Sequence, residues 1–144
     1  MKKQGLLDII LVFLIGLFFY ASFSKYADID SFQRSMRKQP FYDWFNLLLV
    51  WTLPPAEILV GLLLIFERTR LAGLQATLGI MMTFSLYIFA ILLHLFGKVP
   101  CSCGGIIQQL GWGGHLLFNL FFVLIAYLGI RLQKQLLQLG KEKR

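Results

Sequence analysis

Four apolar runs, at 6–23, 45–66, 71–96 and 115–132, are separated along this chain by short stretches rich in charge, glycine or proline. Each run has the roughly 20 residues that a helix needs to cross a hydrocarbon core about 30 Å thick. A strand crossing lipid would instead alternate over about ten residues, and a backbone in lipid has to satisfy its own polar groups, so the runs predict helices. The expected fold class is all-α: an integral membrane bundle of four transmembrane helices, one domain over 1–144.

The connections differ in character. The segment 24–44 mixes charges with Phe32, Met36, Phe41 and Tyr42, which predicts a short amphipathic helix lying on the membrane surface and ending before Pro40. Such a helix would roof the site beside the two cysteines of the later loop. The segment 97–114 carries Gly97, Gly104, Gly105, Gly111, Gly113 and Gly114, so its backbone is free to take positive φ and to let another molecule approach closely. Between the second and third runs there is only the turn Glu67-Arg68-Thr69-Arg70. The first run follows Met1-Lys2-Lys3 as a signal peptide would, yet it is longer than an ordinary signal core and no small-residue cleavage site follows it. It is read as a retained helix.

Composition agrees with a lipid solvent: 58% of residues are hydrophobic, 15% aromatic and 15% charged, with a mean hydropathy of +0.71. Charge then orients the bundle, because Lys and Arg in short loops stay cytoplasmic. With four spans both termini share a side, which carries Lys2, Lys3, Arg68, Arg70, Arg131, Lys134, Lys141, Lys143 and Arg144, against Lys25, Arg34, Arg37, Lys38 and Lys98 on the other. Both termini are therefore expected in the cytoplasm and 97–114 outside, which in a Gram-negative cell is the periplasm. The setting expected is a bacterial inner membrane. The net charge of +7 needs no nucleic acid, since inside anchoring and a basic tail beside anionic lipid account for it.

The two cysteines stand one residue apart in Pro100-Cys101-Ser102-Cys103-Gly104-Gly105. A bridge closing so short a ring removes little entropy from the unfolded chain and is more reducible than an ordinary disulfide, so an inert staple is a poor use of this spacing. A redox-active dithiol at the membrane surface is the better reading, open to attack by a partner's thiolate. Metal binding is the alternative: His94, His115, Cys101 and Cys103 form a ligand set that suits zinc or copper, although the spacing is that of no known finger. For each histidine alone the first reading is an interfacial residue that caps or hydrogen-bonds a helix end, and the alternative is that one of them serves as a proton donor or acceptor during thiol exchange.

Glu57 is costly where it stands, inside the second run and just after Pro54-Pro55-Ala56. An ionisable group at that depth faces the bundle interior and has a partner, for which Lys25 at the end of the first run is the nearest candidate. The two prolines interrupt the hydrogen-bond ladder one turn earlier and would open a polar pocket there. Either the pair only locks two helices, or Glu57 serves proton transfer or binds a polar head such as a quinone. Asp8, near its helix end, reaches water, and Trp44, Trp51 and Trp112 fit an interfacial aromatic belt, with Trp51 and Trp112 as further candidates for a quinone ring.

The run Phe23-Ser24-Lys25-Tyr26, the stretch 32–40, Pro55-Ala56-Glu57, the two-cysteine loop and Gly111-Trp112-Gly113-Gly114-His115 together resemble the MauE branch of the DoxX-like redox-associated membrane proteins. The resemblance covers nearly the whole chain. It implies a small four-helix membrane protein engaged in thiol-disulfide exchange outside the membrane, with a periplasmic thioredoxin-like partner. No cysteine lies on the inner half, so the second redox partner has to be met at the outer leaflet or in lipid, and a quinone fits that demand. The competing readings are a metal-handling or accessory membrane protein and a structural subunit of a larger complex.

Overall fold

Helices in lipid gain nothing by exchanging one apolar neighbour for another, so close packing of small residues and hydrogen bonds between polar ones decide which faces meet. The computed structural model describes residues 2–96 and 111–142. It contains helices α1 (Lys2–Ala27), α2 (Ile29–Arg37), α3 (Asp43–Ile65), α4 (Arg70–Leu92) and α5 (Gly111–Glu142). Among the described residues, four helices are long and apolar enough to cross a membrane: α1, α3, α4 and, within α5, Gly111–Gly140. The chain is all-helical there, without strands.

The four long helices form a ring in which α1 packs on α3, α3 on α4, α4 on α5 and α5 back on α1. Each contributes one stripe at spacings of three and four: Leu7, Ile10, Leu11, Leu14 and Phe18 from α1, Val60 and Leu64 from α3, Leu74 and Met81 from α4, and Phe122, Ala126 and Ile130 from α5. Outside the stripe the residues are as apolar as within it, with Val12, Phe13, Leu86 and Leu117 all more than 60% exposed, as lipid contact demands. Glycines set the closest approaches. A Cβ on Gly73 would lie 2.9 Å from the Leu64 backbone nitrogen, and one on Gly129 would meet Leu74 and Ile10. Those contacts put Ile10, Leu74 and Gly129 at one level, toward the end of the bundle that holds both termini.

At the opposite end, α2 lies against α1 and α3. Asp28 starts it, accepting a hydrogen bond from the Ser31 backbone N–H at 3.0 Å, with Asp30 in the first turn and Arg34 and Arg37 in the last. Phe32 and Met36 turn inward onto Val50, which accounts for the amphipathic pattern. Beyond α2, Gln39 accepts a hydrogen bond from the Tyr87 hydroxyl, and Phe41 stacks on the Tyr87 ring at 5.4 Å, tying this segment to α4.

Helix ends depart from the expected spans most notably in α4 and α5. Helix α4 stops at Leu92 rather than Phe96, because His94 takes φ 58. The His94 N–H donates to Ile91 O at 2.9 Å and the Leu95 N–H to Ala90 O at 3.3 Å, the paired bonds of a Schellman ending with histidine where glycine is usual. Helix α5 begins earlier, at Gly111 with φ 64, and runs on through Glu142, ten residues past the expected end. The left-handed conformation costs a non-glycine residue about 1–2 kcal/mol. His94→Gly is therefore expected to raise the thermal midpoint in detergent by the equivalent of about 1 kcal/mol, and His94→Val to lower it. A lower midpoint for the glycine variant would refute strain at this position.

Candidate functional site

Polar residues collect inside the bundle at the end away from the termini. Lys25, in the last turn of α1, and Glu57 of α3 form an ion pair of 2.7 Å, with side chains 6% and 8% exposed. Among the described residues it is the one such pair. The Lys25 ammonium also donates to the Ala21 carbonyl at 3.2 Å and stands 5.8 Å from the centre of the Phe32 ring. Helix α2 thus lies over the pair, while the cysteines that it was expected to roof lie outside the described residues.

A local feature of α3 beside the pair is its two prolines. Helix α3 continues through Pro54 and Pro55, neither of which has an N–H, so the carbonyls of Val50 and Trp51 lose their donors four residues on. Ser22 of α1 adds a bond in this region, its hydroxyl donating to the Pro54 carbonyl at 2.9 Å. Ser22 and Lys25, three residues apart, share a face of α1 and hold α3 at Pro54 and at Glu57.

From α5 comes His115, 6% exposed and close enough to Lys25 to feel its charge. Asn119, one turn on, is buried on the same face. Two buried atoms here have no hydrogen-bond partner among the described residues: Oε2 of Glu57 and Nδ1 of His115. A buried polar atom without a partner costs free energy, and such atoms collect where a ligand, water or proton is handled. The arrangement therefore offers one fixed charge pair, a second carboxylate oxygen open to a donor, and an imidazole nitrogen able to exchange a proton.

The structure brings Lys25, Glu57 and His115 together; the other candidates stand apart. His94 is exposed in its turn beyond α4. Trp51 is 59% exposed on the lipid-facing side of α3, away from the buried face that carries Glu57, and Trp112 is half-buried in the first turn of α5. Cys101 and Cys103 lie outside the described residues, in the connection that joins α4 to α5. Among the described residues no group of three or more His, Cys, Asp or Glu side chains is arranged to hold a metal ion. Ser22, Asn46 and Asn119 were not singled out from the sequence; the signal that marks them is a polar side chain within or beside an apolar run, which in a membrane implies an interior partner.

No curated protein and no solved structure matches the chain. The family described as "Methylamine utilisation protein MauE" matches residues 3–132. That match covers three of the membrane helices almost or wholly, most of the fourth, the Lys25–Glu57 pair, His115 and the cysteine-bearing connection, and by it this multi-pass membrane protein belongs to the MauE family.

Proposed function

We propose that this protein is an accessory membrane component of methylamine utilisation that exchanges disulfides on the outer face of a bacterial inner membrane, with both termini in the cytoplasm. The observation that carries the reading is the buried Lys25–Glu57 pair with Glu57 Oε2 and His115 Nδ1 left open, at the end of the bundle from which the Cys101 and Cys103 connection departs. Family membership supports the pathway, and the distribution of Lys and Arg supports the orientation.

In this mechanism a periplasmic thioredoxin-like protein presents two thiols. Its thiolate attacks one sulfur of a Cys101–Cys103 disulfide, its second thiol resolves the mixed disulfide, and the partner leaves oxidised while Cys101 and Cys103 become thiols. Two electrons and two protons then pass from those thiols to a quinone dissolved in the membrane, which leaves as quinol and restores the disulfide. His115 takes up and releases a proton at Nδ1, and Glu57, held by Lys25, accepts a hydrogen bond at Oε2 from a hydroxyl of the quinol as it forms. Trp51 contributes no more than belt anchoring, being turned to lipid.

Trapping tests the exchange. With Cys101→Ser or Cys103→Ser, one of the two variants is expected to accumulate in cells as a mixed disulfide with a thioredoxin-like protein, seen by non-reducing electrophoresis and named by mass spectrometry. Methylamine-dependent growth undiminished in the double serine variant would end the proposal. The quinone step has its own readout: oxidised protein supplied with a dithiol donor should bleach added quinone, and Glu57→Gln should slow that bleaching without preventing the trapped adduct.

A further inference from the structure

A cleft of about 380 Å³ opens between α2 and the first turns of α3, away from the Lys25–Glu57 pair. Its polar wall holds Arg37 and Asp43, and Asn46, Trp44, Leu47 and Val50 complete most of the lining. Arg37 is the last residue of α2 and Asp43 the first of α3, so opposite charges face one cavity. Both are exposed, and neither is ion-paired with a described residue.

Asn46 supplies the independent observation. Its residue is 1% exposed, and its amide orientation is settled because Nδ2 donates to the Phe41 carbonyl at 3.2 Å. That leaves Oδ1, an acceptor, buried with no donor among the described residues. An acceptor of this kind at a cleft wall calls for a ligand that brings an N–H or O–H.

We infer that the cleft binds the headgroup of a phospholipid carrying a primary ammonium, of the phosphatidylethanolamine type. The phosphate meets the Arg37 guanidinium, whose planar fork matches phosphate oxygens. The ammonium meets the Asp43 carboxylate and donates to Asn46 Oδ1. Leu47 and Val50 receive the start of an acyl chain, and Trp44, 67% exposed, sits where an interfacial aromatic belongs. A choline headgroup carries the same charges but has no N–H for Asn46. A glycerol headgroup brings no cation for Asp43. The volume lies within the range of ordinary ligand pockets.

Native mass spectrometry of delipidated full-length protein in detergent, offered equal amounts of phosphatidylethanolamine, phosphatidylcholine and phosphatidylglycerol with identical chains, tests this directly. The ethanolamine lipid is expected to be retained about fivefold over the choline lipid, the ratio that one hydrogen bond supplies. Arg37→Gln should weaken the ethanolamine and choline adducts together, whereas Asp43→Asn should erase the preference of the ethanolamine lipid over the glycerol lipid. Equal retention of all three lipids by the wild type, a preference for the glycerol lipid, or a ranking untouched by both substitutions would overturn the inference. Neither Arg37 nor Asp43 takes part in the proposed thiol exchange, so both variants should still form the trapped adduct with the partner protein.

Discussion

Lys25→Met is expected to destabilise the protein by about 3–5 kcal/mol, the largest effect of any single substitution considered for it. The pair is buried, at 6% and 8% side-chain exposure, so removing the ammonium leaves the Glu57 carboxylate without a counter-charge among the described residues. A neutral hydrogen bond between membrane helices is worth only about 0.6–1.7 kcal/mol, and its loss would be tolerated. An uncompensated buried charge is a different matter, because the desolvation cost stays while the attraction that offset it is gone. The double variant Lys25→Met, Glu57→Leu removes both charges and is expected to recover most of the loss. Unfolding by sodium dodecyl sulfate in mixed micelles measures all three proteins. A single variant as stable as wild type would mean that the pair is solvated, and a double variant no better than the single would mean that packing rather than charge is lost.

Gly73→Ala comes second, with an expected loss of about 1–3 kcal/mol or more from overpacking. A Cβ at this position would stand 2.9 Å from the Leu64 nitrogen and 3.0 Å from the Leu63 carbonyl carbon. Those atoms are backbone, so relief requires α3 and α4 to move apart just beside their connecting turn, where Thr69 donates to the Leu63 carbonyl at 3.0 Å. Gly129→Ala meets the side-chain tips of Leu74 and Ile10 instead, which can yield, and should cost less. Gly79→Ala meets nothing within 4 Å and should be neutral or slightly stabilising through its helix propensity. The order Gly73, Gly129, Gly79 in the same unfolding assay is the expected result; equal effects at all three would show that the α3 to α4 approach is not a close one.

Both predictions turn on residues whose visibility in the sequence was unequal. Lys25 and Glu57 stood out because a charge in or beside an apolar run is expensive, and expense implies a partner. Helix α2 was legible for a similar reason, its Phe32 and Met36 recurring among charges ahead of Pro40, although its Asp28 cap was not singled out. The end of α4 was not. Leu93, Leu95 and Phe96 are as apolar as the helix before them, and what stops the helix is a left-handed backbone at His94, which composition does not mark. The far end of α5 misled in the opposite direction: Arg131 and Lys134 close the apolar run, yet leucine, glutamine and lysine are good helix formers, so the helix outlasts it.

The seam of the bundle was the least legible part. A soluble helix betrays its buried face by contrast with a polar one, but here Leu14 is fully buried and Val12 and Phe13 are 69% and 61% exposed, all three apolar. Ser22, Asn46 and Asn119, which join or flank the buried polar group, gave only the faint signal of a polar side chain in an oily stretch.

From its order of residues alone, this chain was bound to be a four-span helical membrane protein, because hydrocarbon admits no other use for runs so long and so apolar. The cost of a charge in that solvent also declared which residues needed a partner. Which faces meet, how Ser22, Lys25 and Phe32 close around Glu57, and which atoms remain open there were decided only when the helices packed. Lipid and protein interior are alike to an apolar side chain, so close approach at glycines and a handful of polar contacts, rather than hydrophobicity, chose the arrangement.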